Sequence, residues 1–219
     1  MKREIITTND GSTTIHLPEL NESYHSKHGA IQEAYHVFIK NGLALCSGSV
    51  AILEIGFGTG LNAFITFLES QKNNQPIDYV GVEAYPVAFN EVQQLNYPAE
   101  LNAVDQTEVF HQMHQSDWGR KESLSDLFSL TKRQQYFQDI TDEGAFDLVY
   151  FDAFGFRVQP ELWSLQIFNR MYVALKPDGV LVTYACRTSI KNAMKEAGFV
   201  VEKLPGAPGK REMLRAFKK

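Results

Sequence analysis

Short apolar runs alternate with amphipathic stretches over most of the chain, and the runs are bounded by Gly, Pro, Asn and Asp. Residues 50–55, 77–83, 146–151 and 180–184 read as strands buried on both faces. Helices are predicted between them, over 61–70, over 86–94 with Pro86 in the first turn, and over 188–197 ending at Gly198. Another, over 161–175, would turn Leu162, Leu165, Ile167, Phe168 and Met171 toward the sheet. At the amino end, 1–20 reads as a polar hairpin turning at Asn9-Asp10-Gly11, and a helix over 30–39 stops at Asn41-Gly42. Residues 98–135 read as predominantly helical and polar, with a third strand beginning near Thr131 and ending in 137–140. Lys176-Pro177-Asp178-Gly179 reads as a turn, and 199–204 and 212–217 as an antiparallel pair around 205–209. The alternation predicts an α/β fold, an open, mostly parallel sheet covered on both faces and closed by an antiparallel strand. A hairpin and helix in 1–45 would pack on a main unit of 46–219, making one structural domain overall.

The chemistry gathers at the end of the first main strand. Glu54-Ile55-Gly56-Phe57-Gly58-Thr59-Gly60 follows an apolar run, and Glu83 ends the next strand twenty-three residues after Gly60. Strand, glycine loop, helix and acid in that order describe a nucleoside crevice, with the acid accepting hydrogen bonds from ribose hydroxyls. A dinucleotide fingerprint spaces its glycines G-x-G-x-x-G to bring a helix terminus onto the pyrophosphate. Here the spacing is E-x-G-x-G-x-G, and a carboxylate at Glu54 would repel a pyrophosphate but suit the ammonium of a methionine moiety. The reading is a Rossmann-like class I fold that binds S-adenosylmethionine, with Glu54, Gly56, Gly58, Gly60 and Glu83 as cofactor residues. The antiparallel last pair is the shape of methyltransferases rather than of dehydrogenases.

Composition narrows the picture. The chain of 219 residues has room for one α/β domain. No apolar run reaches the ~18 residues of a membrane span, and the amino end lacks a signal-peptide core. Two cysteines, Cys46 and Cys186, define neither a disulfide framework nor a four-ligand zinc site. His111 and His114 have no evident carboxylate or cysteine partner, so packing explains them better than metal. A reduced, cytoplasmic setting is expected. The net charge of −5 argues against wrapping nucleic acid, yet six basic residues stand against the single acid Glu212 between Lys203 and Lys219. That cluster reads as a solvated tail or as a local phosphate-reading patch.

Several segments resemble one family. They are Phe146–Phe154 followed by Gln159-Pro160-Glu161-Leu162-Trp163, the end Leu204–Ala216, Glu54–Gly60, and Tyr24-His25-Ser26. Over roughly residues 20–217 the chain is similar to the MnmC/MnmD methyltransferases, in the single-domain form without the FAD-dependent oxidoreductase domain. The resemblance implies methylation of a 5-aminomethyl group on a tRNA wobble uridine, with or without sulfur at position 2, to 5-methylaminomethyl. It implies tRNA as partner through its anticodon loop, no metal, and a separate enzyme that supplies the aminomethyl group. Two departures stand out. Gly155-Phe156-Arg157-Val158 lacks the family's proline after Asp-Ala-Phe, and Ala185-Cys186-Arg187-Thr188 then Lys191-Asn192 replaces Ser-Ala-Lys-Gly and a basic pair.

Transfer from a sulfonium to an amine is an in-line displacement, so alignment is the enzyme's main contribution. Asp152, at the carboxyl end of the central strand, is the candidate to hold the amine; otherwise it caps the next segment or binds the methionine ammonium. Asp139 is placed to accept from the adenine amino group or to cap a helix. Phe154 and Phe156 are candidates for stacking on a base or for the core. Tyr24 and Ser26 are implied at the methionine end, and Lys210, Arg211 and Arg215 as tRNA contacts. Trp163 is expected to pack its helix on the sheet. An aminopropyltransferase would need carboxylates near Asp152 that 155–160 do not offer. A non-catalytic RNA regulator would not need Glu54, Glu83 and Asp152 together.

Overall fold

The computed structural model describes residues 2–219. Three short strands, β1 (Glu4–Thr7), β2 (Thr13–Leu17) and β3 (Glu22–Ser23), form a small antiparallel sheet at the amino end. Helix α1 (Ala30–Ala34) follows and widens into a π-helical stretch, Tyr35–Lys40. The main sheet then alternates with helices: β4 (Val50–Ile55), α2 (Leu61–Asn73), β5 (Ile77–Glu83), α3 (Phe89–Val92), α4 (Tyr97–Glu100) and α5 (Thr107–Gln115). A hairpin of β6 (Lys121–Ser125) and β7 (Phe128–Gln134) precedes β8 (Phe146–Phe151), α6 (Leu165–Ala174), β9 (Leu175–Thr183), α7 (Thr188–Glu196), β10 (Val200–Pro205) and β11 (Glu212–Phe217).

The eight-stranded sheet runs β10-β11-β9-β8-β4-β5-β7-β6. Strands β7, β5, β4, β8 and β9 are parallel, and both edges are antiparallel. The expected mostly parallel sheet with an antiparallel last strand is therefore present. Successive side chains of a strand face opposite ways. Ile52, Tyr79, Leu148, Tyr150 and Val182 meet α1, α2 and the amino-terminal sheet on one side. Leu53, Val80, Val149, Phe151 and Leu181 meet α6 and α7 on the other. Ile15, Leu17 and Ala30 share the first of these cores with Ile52, so the amino-terminal segment packs on the main unit.

The structure corrects five element boundaries. Residues 121–134 are strands rather than helix. Burial there recurs every second residue at Phe128, Leu130 and Lys132, which is the period of a strand. Strand β7 ends at Gln134, and 137–139 is a 3-10 turn anchored by buried Phe137 and Ile140. The helix expected over 86–94 shrinks to Phe89–Val92, because the Ala88 N–H is capped by Glu91 Oε2 at 3.0 Å. The one expected over 161–175 breaks at extended Ser164 into a 3-10 turn, Pro160–Trp163, and α6. Residues 176–179 lie inside β9 as a register shift rather than before it.

Candidate functional site

Strands β4, β5 and β8 point their carboxyl ends at one cavity of about 510 Å³. Strand β4 has β5 on one side and β8 on the other, and crevices at such a switch point are where open α/β sheets hold ligands. The loop after β4 forms the floor. Gly56 has φ 89°, and a Cβ there would lie 2.6 Å from the Asp152 carbonyl oxygen, so the residue that brings β4 and β8 loops together has to be glycine. Gly58 donates its N–H to Glu83 Oε2 at 3.0 Å, and Tyr85 donates its N–H to Glu83 Oε1 at 2.9 Å. Each carboxylate oxygen keeps a further lone pair for a ribose hydroxyl. The glycine floor, the acid beside it and the cavity volume together fit a nucleoside such as that of S-adenosylmethionine.

Asp152 stands on the opposite wall. Its N–H donates to the Ile55 carbonyl at 2.9 Å. The loop behind it is fixed by Trp163 Nε1 donating to the Phe154 carbonyl and by the Tyr184 hydroxyl donating to the Ala153 carbonyl, each at 2.8 Å. Trp163 is buried against Phe151, packing its turn on the sheet as expected. Asn62, in the first turn of α2, donates Nδ2 to Asp152 Oδ2 at 2.8 Å and to Glu54 Oε1 at 2.9 Å. Asp152 Oδ1 accepts no hydrogen bond among the described residues and is left for the cavity. Burial, and then the negative charge of Glu33, push the Asp152 carboxyl up to about 7, against the opposing pull of Asn62 and Lys210.

Glu54 lies deeper than expected. It is fully buried and absent from the cavity wall. Burial raises the carboxyl of Glu54, beneath Asn62, well above the ordinary range. The Tyr79 hydroxyl is near enough to bear on its titration, yet Glu54 Oε2 and that hydroxyl make no hydrogen bond. Of the other expected cofactor residues, Tyr24 and Ser26 line the cavity; Gly60 and Asp139 do not. Asp139 is exposed on the turn after β7, whereas its neighbours Phe137 and Gln138 face the cavity. The Tyr24 ring meets Phe154 edge-on at 5.0 Å, and burial pushes its hydroxyl up to about 12.

On the substrate side, Phe154 and Lys210 reach the wall and Phe156 does not. Phe156 sits under the Arg187 guanidinium, 4.9 Å from its ring centroid. Lys210 pairs with Glu33 and lies over the Tyr184 ring. The rest of the basic tail is largely engaged: Lys203 with Glu212 at 2.7 Å, Arg215 with Glu202 at 2.9 Å, and Lys219 with Asp178 at 3.1 Å. Arg211 is exposed and has no ion pair among the described residues. His114 packs on Phe57 and Phe110 with Nε2 at the Thr59 carbonyl, and His111 packs edge-on against Phe89.

The residues missed in the sequence are Asn62, Glu33, Tyr184 and Glu22. Glu33 carried a signal: it falls on the same buried helix face as Ala30 and Ala34, where a lone acid needs a partner. Glu22, Glu33 and Glu161 bring carboxylates into the cavity from outside 155–160.

Residues 129–219 match the model of a family described as S-adenosyl-L-methionine-dependent methyltransferase. The chain is 31% identical over 220 residues to the tRNA 5-methylaminomethyl-2-thiouridine biosynthesis bifunctional protein MnmC of Azoarcus sp. (strain BH72), covering 88% of this chain and 32% of that protein. The protein of the same name from Leptospira borgpetersenii is 27% identical over 221 residues, covering 89% of this chain and 32% of the relative. The chain thus spans about a third of the length of the curated relatives it matches. Among solved structures, MnmC2 from Aquifex aeolicus superposes with a TM-score of 0.81 at 23% identity, covering 100% of this chain and 70% of that one. Spermidine synthase from Thermotoga maritima shares the fold at a TM-score of 0.56 and 12% identity, covering 99% and 72%.

Proposed function

We propose that the chain is an S-adenosyl-L-methionine-dependent methyltransferase of the MnmC family and that it methylates the 5-aminomethyl group of a tRNA wobble uridine. The observation that carries this reading is the division of one cavity. The glycine loop and Glu83 form a nucleoside-binding end, and Asp152, Glu33 and Tyr184 form an acidic, aromatic end that suits an amine. Residues 1–45 are read as an appendage to a methyltransferase unit of 46–219, to which they contribute Tyr24, Ser26 and Glu33. The setting is taken to be the cytoplasm, with a separate enzyme installing the aminomethyl group. No helix among the described residues is long and apolar enough to cross a membrane.

When bound, S-adenosyl-L-methionine supplies an electrophilic methyl group on a sulfonium. Gly56 and Gly58 let the backbone lie flat against it, and Glu83 accepts from the ribose. Asp152 presents Oδ1 to the acceptor nitrogen and turns its lone pair across the cavity. A lysine-like amine titrates near 10.4, so baring the lone pair at pH 7 costs about 5 kcal/mol. With its carboxyl pushed up to about 7, Asp152 orients the amine and is also a better proton acceptor than water at neutral pH, so the amine's proton leaves through Oδ1 to solvent. Arg211, with Lys191 on α7 and Arg187 just before that helix, is proposed to read phosphates, and Arg215 to exchange Glu202 for one.

The carboxylates of Glu22, Glu33 and Glu161 would also accommodate a polyamine, which is the second reading. Both are tested with methyl-labelled S-adenosylmethionine, tRNA from cells lacking this gene, and putrescine as a competing acceptor. Label in 5-methylaminomethyl-type uridine is the expected result. Label in no tRNA nucleoside, with or without transfer to putrescine, overturns the tRNA reading.

A further inference from the structure

Lys210 occupies a niche whose chemistry is that of an ammonium receptor. Its Nζ lies 4.0 Å from the centroid of the Tyr184 ring, on the face where a cation is attracted by the ring quadrupole. The same ammonium pairs with Glu33 Oε1. Glu33 is itself only 8% exposed, and its other oxygen accepts the Ser26 N–H at 3.2 Å. That bond and the packing of α1 fix the carboxylate in place. All four residues, and Asp152, line one cavity.

Lys210 differs from the walls of this niche. It lies in the turn between β10 and β11, outside regular structure, with a side chain 29% exposed. A long, flexible side chain from a turn thus fills a site built from fixed elements. Tyr184, in contrast, is anchored through its hydroxyl to the Ala153 carbonyl. Removing the cation without a replacement would leave a buried carboxylate unpaired, which is strongly unfavourable. The niche therefore favours a second cation when Lys210 leaves it.

We propose that Glu33 and the face of Tyr184 form the binding site for the ammonium of the acceptor, and that Lys210 is a resident cation which the acceptor displaces. The inference rests on the reading of the cavity as an amine-methyltransferase site and assigns the residues that select the amine. Exchange of one ammonium for another keeps the charge of the niche constant. It also places the arriving nitrogen beside Asp152, whose Oδ1 then accepts from it. A neutral acceptor, such as a hydroxyl or an unmodified uracil, cannot replace Lys210 and is rejected.

The test is calorimetric binding of benzylamine, an arylmethyl ammonium, to the full chain with S-adenosylhomocysteine present. Lys210→Met is expected to bind it at least ten-fold more tightly than wild type. Lys210→Arg is expected to keep wild-type affinity, and adding Glu33→Gln to Lys210→Met is expected to abolish the gain. Equal or weaker binding by Lys210→Met overturns the proposal. In the wild-type protein, the 15N signal of the Lys210 ammonium should shift as benzylamine is added, and an unmoved signal at saturation also overturns it. The two readings fail separately. Tighter benzylamine binding by Lys210→Met without methyl transfer to tRNA retains the niche and removes the tRNA reading. Methyl transfer with unchanged benzylamine affinity retains the function and removes the niche.

Discussion

Asn62 holds Asp152 by a 2.8 Å hydrogen bond from its side-chain amide to Oδ2, across ninety positions of sequence. The same nitrogen donates to Glu54 at 2.9 Å, so one amide couples an acid at the cavity wall to a fully buried acid beneath it. The arrangement leaves one oxygen of Asp152 directed by the protein and the other open to a ligand.

Asn62→Ala removes the donor that favours the charged form of Asp152. The midpoint of the pH dependence of kcat/KM, expected near 7 from the burial of Asp152, should move upward. Losing hydrogen bonds to buried acids should also cost about 1–3 kcal/mol of stability. A denaturant melt and a pH–rate profile check both, and an unmoved midpoint would separate Asn62 from Asp152.

Gly56→Ala places a methyl carbon 2.6 Å from the Asp152 carbonyl oxygen at a φ of 89°. Strain of this kind costs about 1–3 kcal/mol, and relief requires the β4 and β8 loops to part. Affinity for S-adenosylhomocysteine should fall at least ten-fold by calorimetry.

Much of this was legible in the sequence because it depends on local patterns. Apolar runs of strand length mark β4, β5 and β8, and glycine spacing with Glu83 marks the nucleoside end. Residues 121–134 misled because Lys132 occupies a buried strand position, and a polar residue in that place hides the two-residue period. Its stem is covered by the fold, and its Nζ donates to the His114 carbonyl. Most of the acceptor end beyond Asp152 was not legible, for another reason. Glu33, Asn62, Asp152, Tyr184 and Lys210 come from five separate elements, and only the sheet topology brings them together. The motif sets Glu54 toward a methionine ammonium, but the alternation of β4 turns it inward.

His25 supplies a pH dependence of stability. Its Nδ1 faces the Thr14 hydroxyl at 3.0 Å, and burial lowers the imidazole from 6.5 to about 4. Between those values the unfolded chain binds the proton and the folded chain does not, so this contribution is complete above pH 6.5 and is lost as pH falls toward 4. His114, lowered to about 3, acts in the same direction. Asp152, raised from 3.8 to about 7, acts oppositely, favouring the fold as pH falls through 7. His25→Gln should therefore flatten the fall in Tm between pH 6.5 and 4 relative to wild type. An unchanged slope would show that His25 does not titrate differently on unfolding.

Arg211 is the exposed cation of the carboxyl-terminal hairpin without an ion pair among the described residues. Arg211→Ala should weaken tRNA binding and reduce the slope of log K against log salt by about one. S-adenosylhomocysteine affinity should stay unchanged. Filter binding over a salt series reads both effects, and an unaltered slope would remove Arg211 from the RNA face.

The most direct measurement pairs cofactor affinity with single-turnover methyl transfer to tRNA in Asp152→Asn. The substitution keeps an acceptor oxygen and a similar volume but removes the charge that faces the amine. Cofactor affinity is predicted to stay within a few-fold of wild type while transfer falls at least a hundred-fold. A loss of cofactor affinity in step with the loss of transfer would put Asp152 on the methionine ammonium and contradict the division of the cavity.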